Sequence, residues 1–305
     1  MILDDFERFC RGRGLSQKTA IQYKSHVKTF FDVNEFTTVS DFNFGRQKDY
    51  QQALENLTDE IRGCRNLSKT AVNGYFCALD TFFSWCIYNE TLSINPIPFF
   101  RQMNVYYYKT PEPKQAYVPT LTEMRAFLET IDDDTIRAML IIGSKTMMRK
   151  NEILTTRCRN INLDKRILII TEHSKRSNCM VFLDDESAEI ISDLFRRKTG
   201  NSQFLFTTPK NRPYQRNSAR DALLFFAERA GLYEADGPRE LNFTWNSCRR
   251  FGNTELKKAG MDPDYIRWLR GDIMSRSADM TTRYRAIIPE DVRDAYEKHV
   301  FKFNL

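Results

Sequence analysis

The stretch from residue 243 to residue 284 reads FTWNSCRRFGNTELKKAGMDPDYIRWLRGDIMSRSADMTTRY and decides the fold of the second half of the chain. Arg249 lies on a predicted helix that ends at Gly260, a residue type that commonly follows the last helical turn. One further segment leads to Tyr284. Arginine offers forked donors that match phosphate oxygens, and tyrosine offers an oxygen that can attack phosphorus. The stretch therefore predicts a site that binds and attacks a phosphate.

A second arginine lies about one hundred residues upstream, in the segment TMMRKNE at positions 146–152. Arg149 and Glu152 are three residues apart, so on a helix they share one face and the carboxylate can orient the guanidinium. An ordinary surface ion pair has the same spacing, and such pairs contribute little to stability. The place of Arg149 in a series of motifs favours the site interpretation.

A β-hairpin follows this segment. Residues 166–171 and 179–183 are rich in β-branched and apolar side chains, and a polar, basic loop lies between them. This alternation of apolar runs and a polar turn predicts two paired strands, and the apolar residues 204–206 predict a further short strand.

Taken in order, these motifs resemble the catalytic domain of the tyrosine recombinases, the phage integrase and Xer family, from about residue 119 to residue 288. The C-terminal family pattern is His-x-x-Arg, a helix that ends at Gly, a Leu-Gly-His-like turn and then Tyr. Arg249 matches the Arg, Gly260 the helix end and Tyr284 the nucleophile, whereas Asn246 stands at the position of the His. The turn is present only as Leu269–Asp272, with Asp272 in place of its histidine.

The upstream motifs fit the same family. Arg149 and Glu152 match a pattern resembling Thr-Gly-Leu-Arg-x-x-Glu-Leu, in which Met147 replaces the glycine. The family carries a catalytic lysine on a hairpin loop, and Lys175 is the matching residue. His173 and Arg176 are weaker candidates for that role.

The resemblance implies a mechanism without metal or cofactor. Tyr284 would attack the scissile phosphate to give a 3′-phosphotyrosyl link and release a 5′ hydroxyl. Arg149 and Arg249 would hold the nonbridging oxygens, and Lys175 would protonate the leaving oxygen. Asn246 can donate a hydrogen bond to a phosphate but cannot carry a proton as histidine can. Arg270 is expected to supply a third cation, with Arg250 as a second possibility.

The fold expected from these patterns is mainly α with a small antiparallel β-hairpin or sheet in the C-terminal domain. Residues 1–105 show helical periodicity throughout, including helices near 44–61 and 68–89, and predict a small bundle whose aromatic side chains are mainly core residues. This bundle resembles the core-DNA-binding domain of the same family. Residues 106–118 are rich in tyrosine and proline and predict a linker. Residues 119–288 form the expected catalytic domain, and residues 289–305 a C-terminal helix and tail that either packs on its own domain or is exchanged between protomers.

Composition limits the other possibilities. The 305 residues carry a net charge of +6, and Lys and Arg outnumber Asp and Glu by 32 to 27 after residue 118 but only by 14 to 13 before it. This is compatible with a polyanionic partner and equally with a solvated surface. Seven cysteines without a Cys-x-x-Cys pair and three histidines predict neither a disulfide framework nor a zinc site. We expect a soluble cytoplasmic protein, since no leader and no apolar run of membrane length occurs.

The expected partners are double-stranded DNA and further copies of the chain. We expect the protein to be a monomer or dimer in the free state and a tetramer on DNA. Candidate DNA contacts are basic residues near helix starts and turns. They are Arg13, Lys18, Lys24, Arg212 and Arg216.

Three functions are compatible with this sequence. The first is a site-specific recombinase, either an integrase of a mobile element or a resolvase. The second is a DNA-binding protein of the same fold that has lost its chemistry, which Asn246 and the altered turn favour. The third is a type IB topoisomerase-like enzyme that nicks and reseals DNA. Retention of Arg149, Lys175, Arg249 and Tyr284 favours an enzyme, and the small helical N-terminal domain favours a recombinase.

Overall fold

The chain divides into two compact units, Met1–Pro113 and Lys114–Leu305. The computed structural model describes residues 2–104, 116–172, 176–198, 200–238, 240–272 and 287–305. The predicted linker at 106–118 lies mostly outside these ranges, and its bounds stay a prediction. Its last residues belong to the second unit, where the Tyr117 amide donates to the carbonyl of Glu240 at 2.8 Å.

The first unit is a helical bundle, as its periodicity predicts. Its α-helices are α1 (Ile2–Gly12), α2 (Gln17–Val33), α3 (Gln51–Asp59), α4 (Lys69–Tyr88) and α5 (Ile97–Met103). The side chains of Ser16 and Ser68 accept from backbone amides in the first turns of α2 and α4, which fixes where both helices begin.

Aromatic side chains fill the centre of this bundle. Phe30, Phe42, Phe82 and Phe83 are fully buried, and their rings meet edge to face or tilted at centroid distances near 6 Å. Such pairs contribute beyond the burial of apolar area. The aromatic residues of the first unit are therefore mainly core residues, in agreement with the sequence-based expectation.

The second unit combines helices with one small sheet. Its helices are α6 (Leu121–Glu129), α7 (Asp134–Thr146), α8 (Lys150–Leu154), α9 (Asp185–Arg197), α10 (Arg216–Arg229), α11 (Trp245–Lys258), α12 (Pro263–Arg270) and α13 (Pro289–His299). The strands β1 (Ile161–Asn162), β2 (Ile167–Ile169) and β3 (Met180–Phe182) form an antiparallel sheet in the order β1-β2-β3. The predicted fold class is confirmed.

Helices α7 and α11 cross closely at Gly252. A β-carbon at this position would lie 1.9 Å from the carbonyl oxygen of Ser144, which is a forbidden distance. Glycine thus lets the backbones of the two helices touch. The crossing helps to position two candidate site residues, because Arg249 lies one turn before Gly252 and α7 leads into Arg149.

The structure differs from the sequence-based expectation at three places. The single helix expected near 44–61 is a 3₁₀ turn at Gln47–Tyr50, then α3, then a π-helical turn at Glu60–Cys64. Apolar periodicity does not distinguish hydrogen bonds to i+3, i+4 and i+5, which explains the difference. Residues 204–206 form no regular strand, since only Phe204 pairs, in an isolated bridge to Arg157. Strand β1 was not predicted, because two residues are too short for an alternating pattern.

The C-terminal segment packs on its own unit. Val292 and Tyr296 of α13 are fully buried, and Phe303 enters the main core of the unit. Glu186 accepts hydrogen bonds from the amides of Phe303 and Asn304 at 3.0 and 2.9 Å. Exchange of this segment between protomers stays a prediction.

Candidate active site

Arg149 is held at the start of the short helix α8. It occupies the N-cap position, so it is not a residue within the helix as the spacing suggested. Its amide donates to Oε2 of Glu152 at 2.8 Å, and its guanidinium donates to Oε1 of the same carboxylate at 3.0 Å. Glu152 therefore orients Arg149 through both backbone and side chain, while part of the guanidinium stays exposed.

Arg176 forms a second, buried partner for Glu152. Its side chain is 0% exposed, and its Nη1 donates to Oε2 of Glu152 at 3.0 Å. Its other donors go to the carbonyls of Asn178 at 2.8 Å and Leu269 at 2.6 Å. Burial lowers the pKa of Arg176, whereas Glu152 opposes that shift. Since its donors are used in this way, Arg176 connects the hairpin, α8 and α12 and is not free to serve as a general acid.

Gly271 makes room for this buried guanidinium. Its φ of 64° lies in the left-handed region, and a β-carbon there would lie 2.7 Å from Nε of Arg176. Only glycine meets both conditions at low cost. The turn after α12 is therefore built around Arg176.

Arg249 lies on α11 and points toward the same region. It donates from Nη1 to the carbonyl of Met147, and from Nη2 to the carbonyl of Arg270 at 2.8 Å and to Oδ1 of Asp272 at 2.9 Å. Its pKa is lowered to about 10, first by burial and then by the charges of Arg149 and Arg270, against the opposing effect of Asp272. A pKa near 10 still leaves Arg249 charged at neutral pH.

Asp272 lies among three arginines. Besides the bond from Arg249, its Oδ1 is 3.9 Å from Nη2 of Arg149, and its Oδ2 is 3.2 Å from Nε of Arg270. Arg270 also donates to Oδ1 of Asn253 at 3.0 Å. Arg149, Arg249 and Arg270 therefore converge on one carboxylate.

A cleft of about 1070 Å³ opens beside these arginines. Arg149, Asn246 and Arg249 line one part of it, and Lys150 and Arg216 line another. Its size and basic lining suit a segment of a polyanion. Asn246 is exposed at the start of α11, so its amide is available to a ligand in the cleft.

Lys175 and Tyr284 lie outside the described residues. Arg250 donates to Oγ of Ser247 at 3.1 Å and does not line the cleft. Within the described ranges, no group of three or more His, Cys, Asp or Glu side chains is placed to hold a metal ion, and no helix is long and apolar enough to cross a membrane.

The five predicted DNA contacts have different surroundings. Arg216 is exposed and lines the cleft, and Arg212 is exposed on the preceding turn. In the first unit Lys18 is exposed, and Arg13 lies over the ring of Phe9. Lys24 is paired with Asp4 at 2.6 Å and with Glu7 at 3.1 Å, so its charge is already matched within the first unit.

Three features of the site were not expected from the sequence. The sequence gives Arg176 only as a weaker candidate for the role of the catalytic lysine, gives Asp272 only as a replacement for a histidine, and gives Lys150 no role beside Arg149. Their roles depend on contacts between segments far apart in the chain, such as Arg176 with Leu269. No local pattern carries that information.

Comparison with known proteins identifies the family of the chain. The family model described as "Phage integrase family" matches residues 120–288, which is more than half of the chain. A search among curated proteins found no match.

Two solved structures illustrate the similarity of fold. One is the Tn1549 transposon integrase in complex with a circular intermediate DNA, with a TM-score of 0.69, 14% identity and coverage of 96% of this chain and 97% of that one. Another is a lambda integrase dimer bound to a COC′ core site, with a TM-score of 0.69, 16% identity and coverage of 94% and 98%. At these identities the likeness shows the fold alone. The family match shows more: this chain belongs to the phage integrase family of tyrosine recombinases.

Proposed function

We propose that this protein cuts and rejoins double-stranded DNA at specific sites, with the scissile phosphate bound between Arg149 and Arg249. The observation that carries the proposal is the convergence of these two guanidiniums on one oxygen of Asp272, from the start of α8 and from the middle of α11. A place where two arginines share one anionic oxygen is a place where a phosphate oxygen can be held.

In this reaction the Tyr284 hydroxyl releases its proton to solvent as its oxygen attacks phosphorus, and the bond to the 5′ oxygen breaks. The strand is left with a 3′-phosphotyrosyl link and a free 5′ hydroxyl. A 5′ hydroxyl of the partner strand reverses the step and completes the exchange. Lys175 supplies the proton to the leaving oxygen, and Asn246 donates a hydrogen bond to the phosphate without proton transfer.

The arginines act on charge that develops in the transition state. Donors held in place before the reaction stabilise such charge without reorganisation, and each contributes about 3 kcal/mol. Glu152 and Arg176 are positioning residues, since they fix Arg149 through buried hydrogen bonds. Arg270 supplies a third cation at the same place.

A plasmid assay tests the function. A duplex that binds the protein is first selected from a random pool, and two copies are placed in one supercoiled plasmid. We expect two smaller circles or an inverted segment, according to the orientation of the copies. Relaxation without exchange would favour a topoisomerase-like enzyme, and binding without either product would favour a DNA-binding protein.

The Arg149→Lys variant keeps the positive charge but loses the two parallel donors of the guanidinium. The rate of recombination in the same assay should therefore fall about 10²- to 10³-fold.

We also propose that the active assembly is a homotetramer on DNA and that the sites belong to the ends of a mobile element. The dimer of lambda integrase on one core site supports the first proposal, because exchange between two such sites would bring four copies together. The similarity to the integrase of the Tn1549 transposon supports the second. Light scattering of the complex with two selected duplexes tests the first. A mass of two protomers, in a complex that still recombines, would contradict it.

A further inference from the structure

Asp272 occupies the position that an anionic ligand of the arginines would take. One of its carboxylate oxygens lies 2.9 Å from Arg249 and 3.9 Å from Arg149, and the other lies 3.2 Å from Arg270. Two oxygens that face three guanidiniums reproduce the contacts of two nonbridging phosphate oxygens.

The carboxylate and a phosphate exclude each other at this place. Both are negatively charged, and both need the same donors of Arg249. Two like charges at contact distance in a partly buried site repel strongly, because water screens them only in part. A bound phosphate therefore requires the side chain of Asp272 to turn away.

The backbone of Asp272 is fixed, whereas its side chain can rotate. The amide of Asp272 donates to the carbonyl of Arg267 at 3.1 Å, and its carbonyl accepts from Oγ of Ser177 at 2.9 Å. The side chain is 32% exposed, so a rotated carboxylate can reach water. Displacement then needs no movement of α12 or of the turn at Gly271.

We propose that Asp272 is an internal anion that holds Arg149, Arg249 and Arg270 in the free protein and is displaced by the scissile phosphate. The inference rests on the proposed function, since it takes the arginine cluster to be the phosphate site. In this role Asp272 positions the three arginines and also keeps small free anions out of the cluster. DNA overcomes this exclusion because many backbone contacts bind it at once, whereas sulfate or phosphate ions have none of these contacts.

A sulfate titration tests this inference without DNA. The Tm of the full-length protein is measured from 0 to 20 mM sulfate, with chloride replaced so that ionic strength stays constant. Asp272→Asn keeps the shape of the side chain and removes its charge. The apparent affinity for sulfate should become about tenfold tighter than in the wild type, as expected for removal of one charged competitor.

Two further variants test whether the tighter binding of sulfate comes from the arginine cluster. Asp264→Asn removes a carboxylate of the same helix region that pairs with Arg267 at 3.0 Å, so it matches the charge change without touching the cluster. It should behave like the wild type. Arg249→Gln in the Asp272→Asn background should abolish the added response, because the principal donor is lost.

If the wild type binds sulfate as tightly as Asp272→Asn does, the inference is overturned.

Asp272→Ser serves as a second neutral variant if Asp272→Asn is unfolded in chloride. Recovery of a folding transition in sulfate would then support the inference, and failure of both variants to recover would contradict it. The plasmid assay detects failure of the proposed function separately, since it depends on DNA and Tyr284, which the titration does not use.

Discussion

Met147 takes a backbone conformation that usually belongs to glycine. Its φ of 52° is left-handed, and it follows the last turn of α7. The family pattern has glycine at this position, so the replacement keeps the turn at a cost of about 1 kcal/mol. The fully buried side chain offsets this cost by packing in the cluster under α12 and α13. The carbonyl of Met147 is also an acceptor for Arg249.

Glu152 gives a direct test of the buried ion pair. Glu152→Gln keeps the size of the side chain but leaves the charge of Arg176 unmatched in the interior. We expect the free energy of unfolding to fall by about 3 kcal/mol, because removing one member of a buried pair leaves an isolated charge. Denaturant unfolding measures the change. Glu297→Gln, which loses an exposed pair with Arg293, should change stability by less than about 1 kcal/mol. An equal loss in both variants would contradict the role of Glu152.

At the scale of elements, the crossing of α7 and α11 sets the position of Arg249. Gly252→Ala places a methyl group 1.9 Å from the Ser144 carbonyl oxygen, so the helices must separate. We expect a loss of about 3 kcal/mol in stability, as for severe overpacking, together with loss of DNA cleavage. Gly12→Ala is the control, since a β-carbon there meets nothing within 4 Å. Thermal unfolding compares the two, and a Gly252→Ala protein as stable as Gly12→Ala would disprove the close crossing.

The cleft also brings three cations together at α8 and α10. Lys150 donates to the carbonyl of Arg216 at 3.3 Å, and burial together with Arg216 and Arg220 lowers the pKa of Lys150. None of the three forms an ion pair with a carboxylate in the described part of the chain. These charges are available for a DNA backbone phosphate beside the scissile one.

Salt dependence of binding tests this cluster. In Lys150→Gln the slope of log affinity against log salt concentration should become shallower by about one, the change expected for one lost phosphate contact. Arg229→Gln, at the other end of α10, should keep the wild-type slope. Titrations of a fluorescent 30-base-pair duplex at several KCl concentrations provide the measurement. Equal slopes for Lys150→Gln and Arg229→Gln would remove Lys150 from the interface.

Elements were easier to predict from sequence than the site. Helix α4 runs over Lys69–Tyr88 where periodicity predicts 68–89, because a long amphipathic pattern with a serine cap has few alternatives. The order of motifs also predicted Arg149, Glu152 and Arg249 as site residues, and the structure brings these three side chains into one region. The sequence could not reveal that Arg176 is buried against Glu152 or that Asp272 faces three arginines, because these contacts depend on how loops meet after folding. A charged residue in a loop has the same local pattern whether it is buried or solvated.

At the scale of the whole molecule, the C-terminal tail completes the second unit. Lys145 is fully buried and pairs with Asp184 and Glu186, and it lies 5.8 Å from the ring centroids of Phe301 and Phe303. The tail therefore covers a buried cation as well as apolar surface. A neighbouring protomer that donated its tail would have to supply the same groups.

Removal of the tail's anchor should destabilise the protein. Phe303→Ala leaves a cavity in the main core, and we expect the free energy of unfolding to fall by about 3 kcal/mol. Leu305→Ala, at an exposed position, should change it by less than about 0.5 kcal/mol. Urea unfolding of dilute protein distinguishes them. A Phe303→Ala variant as stable as Leu305→Ala would show that the tail does not pack on its own unit in solution.

The central claim is that Tyr284 is the nucleophile of a DNA-cleaving site built around Arg149 and Arg249. The most direct measurement is covalent capture in EDTA on selected duplexes nicked at successive positions, so that the released fragment diffuses away. Wild type and Tyr233→Phe should form a protein–DNA adduct on a denaturing gel, and Tyr284→Phe should form none. Strong binding without an adduct in the wild type, or an adduct that persists in Tyr284→Phe, would contradict the account.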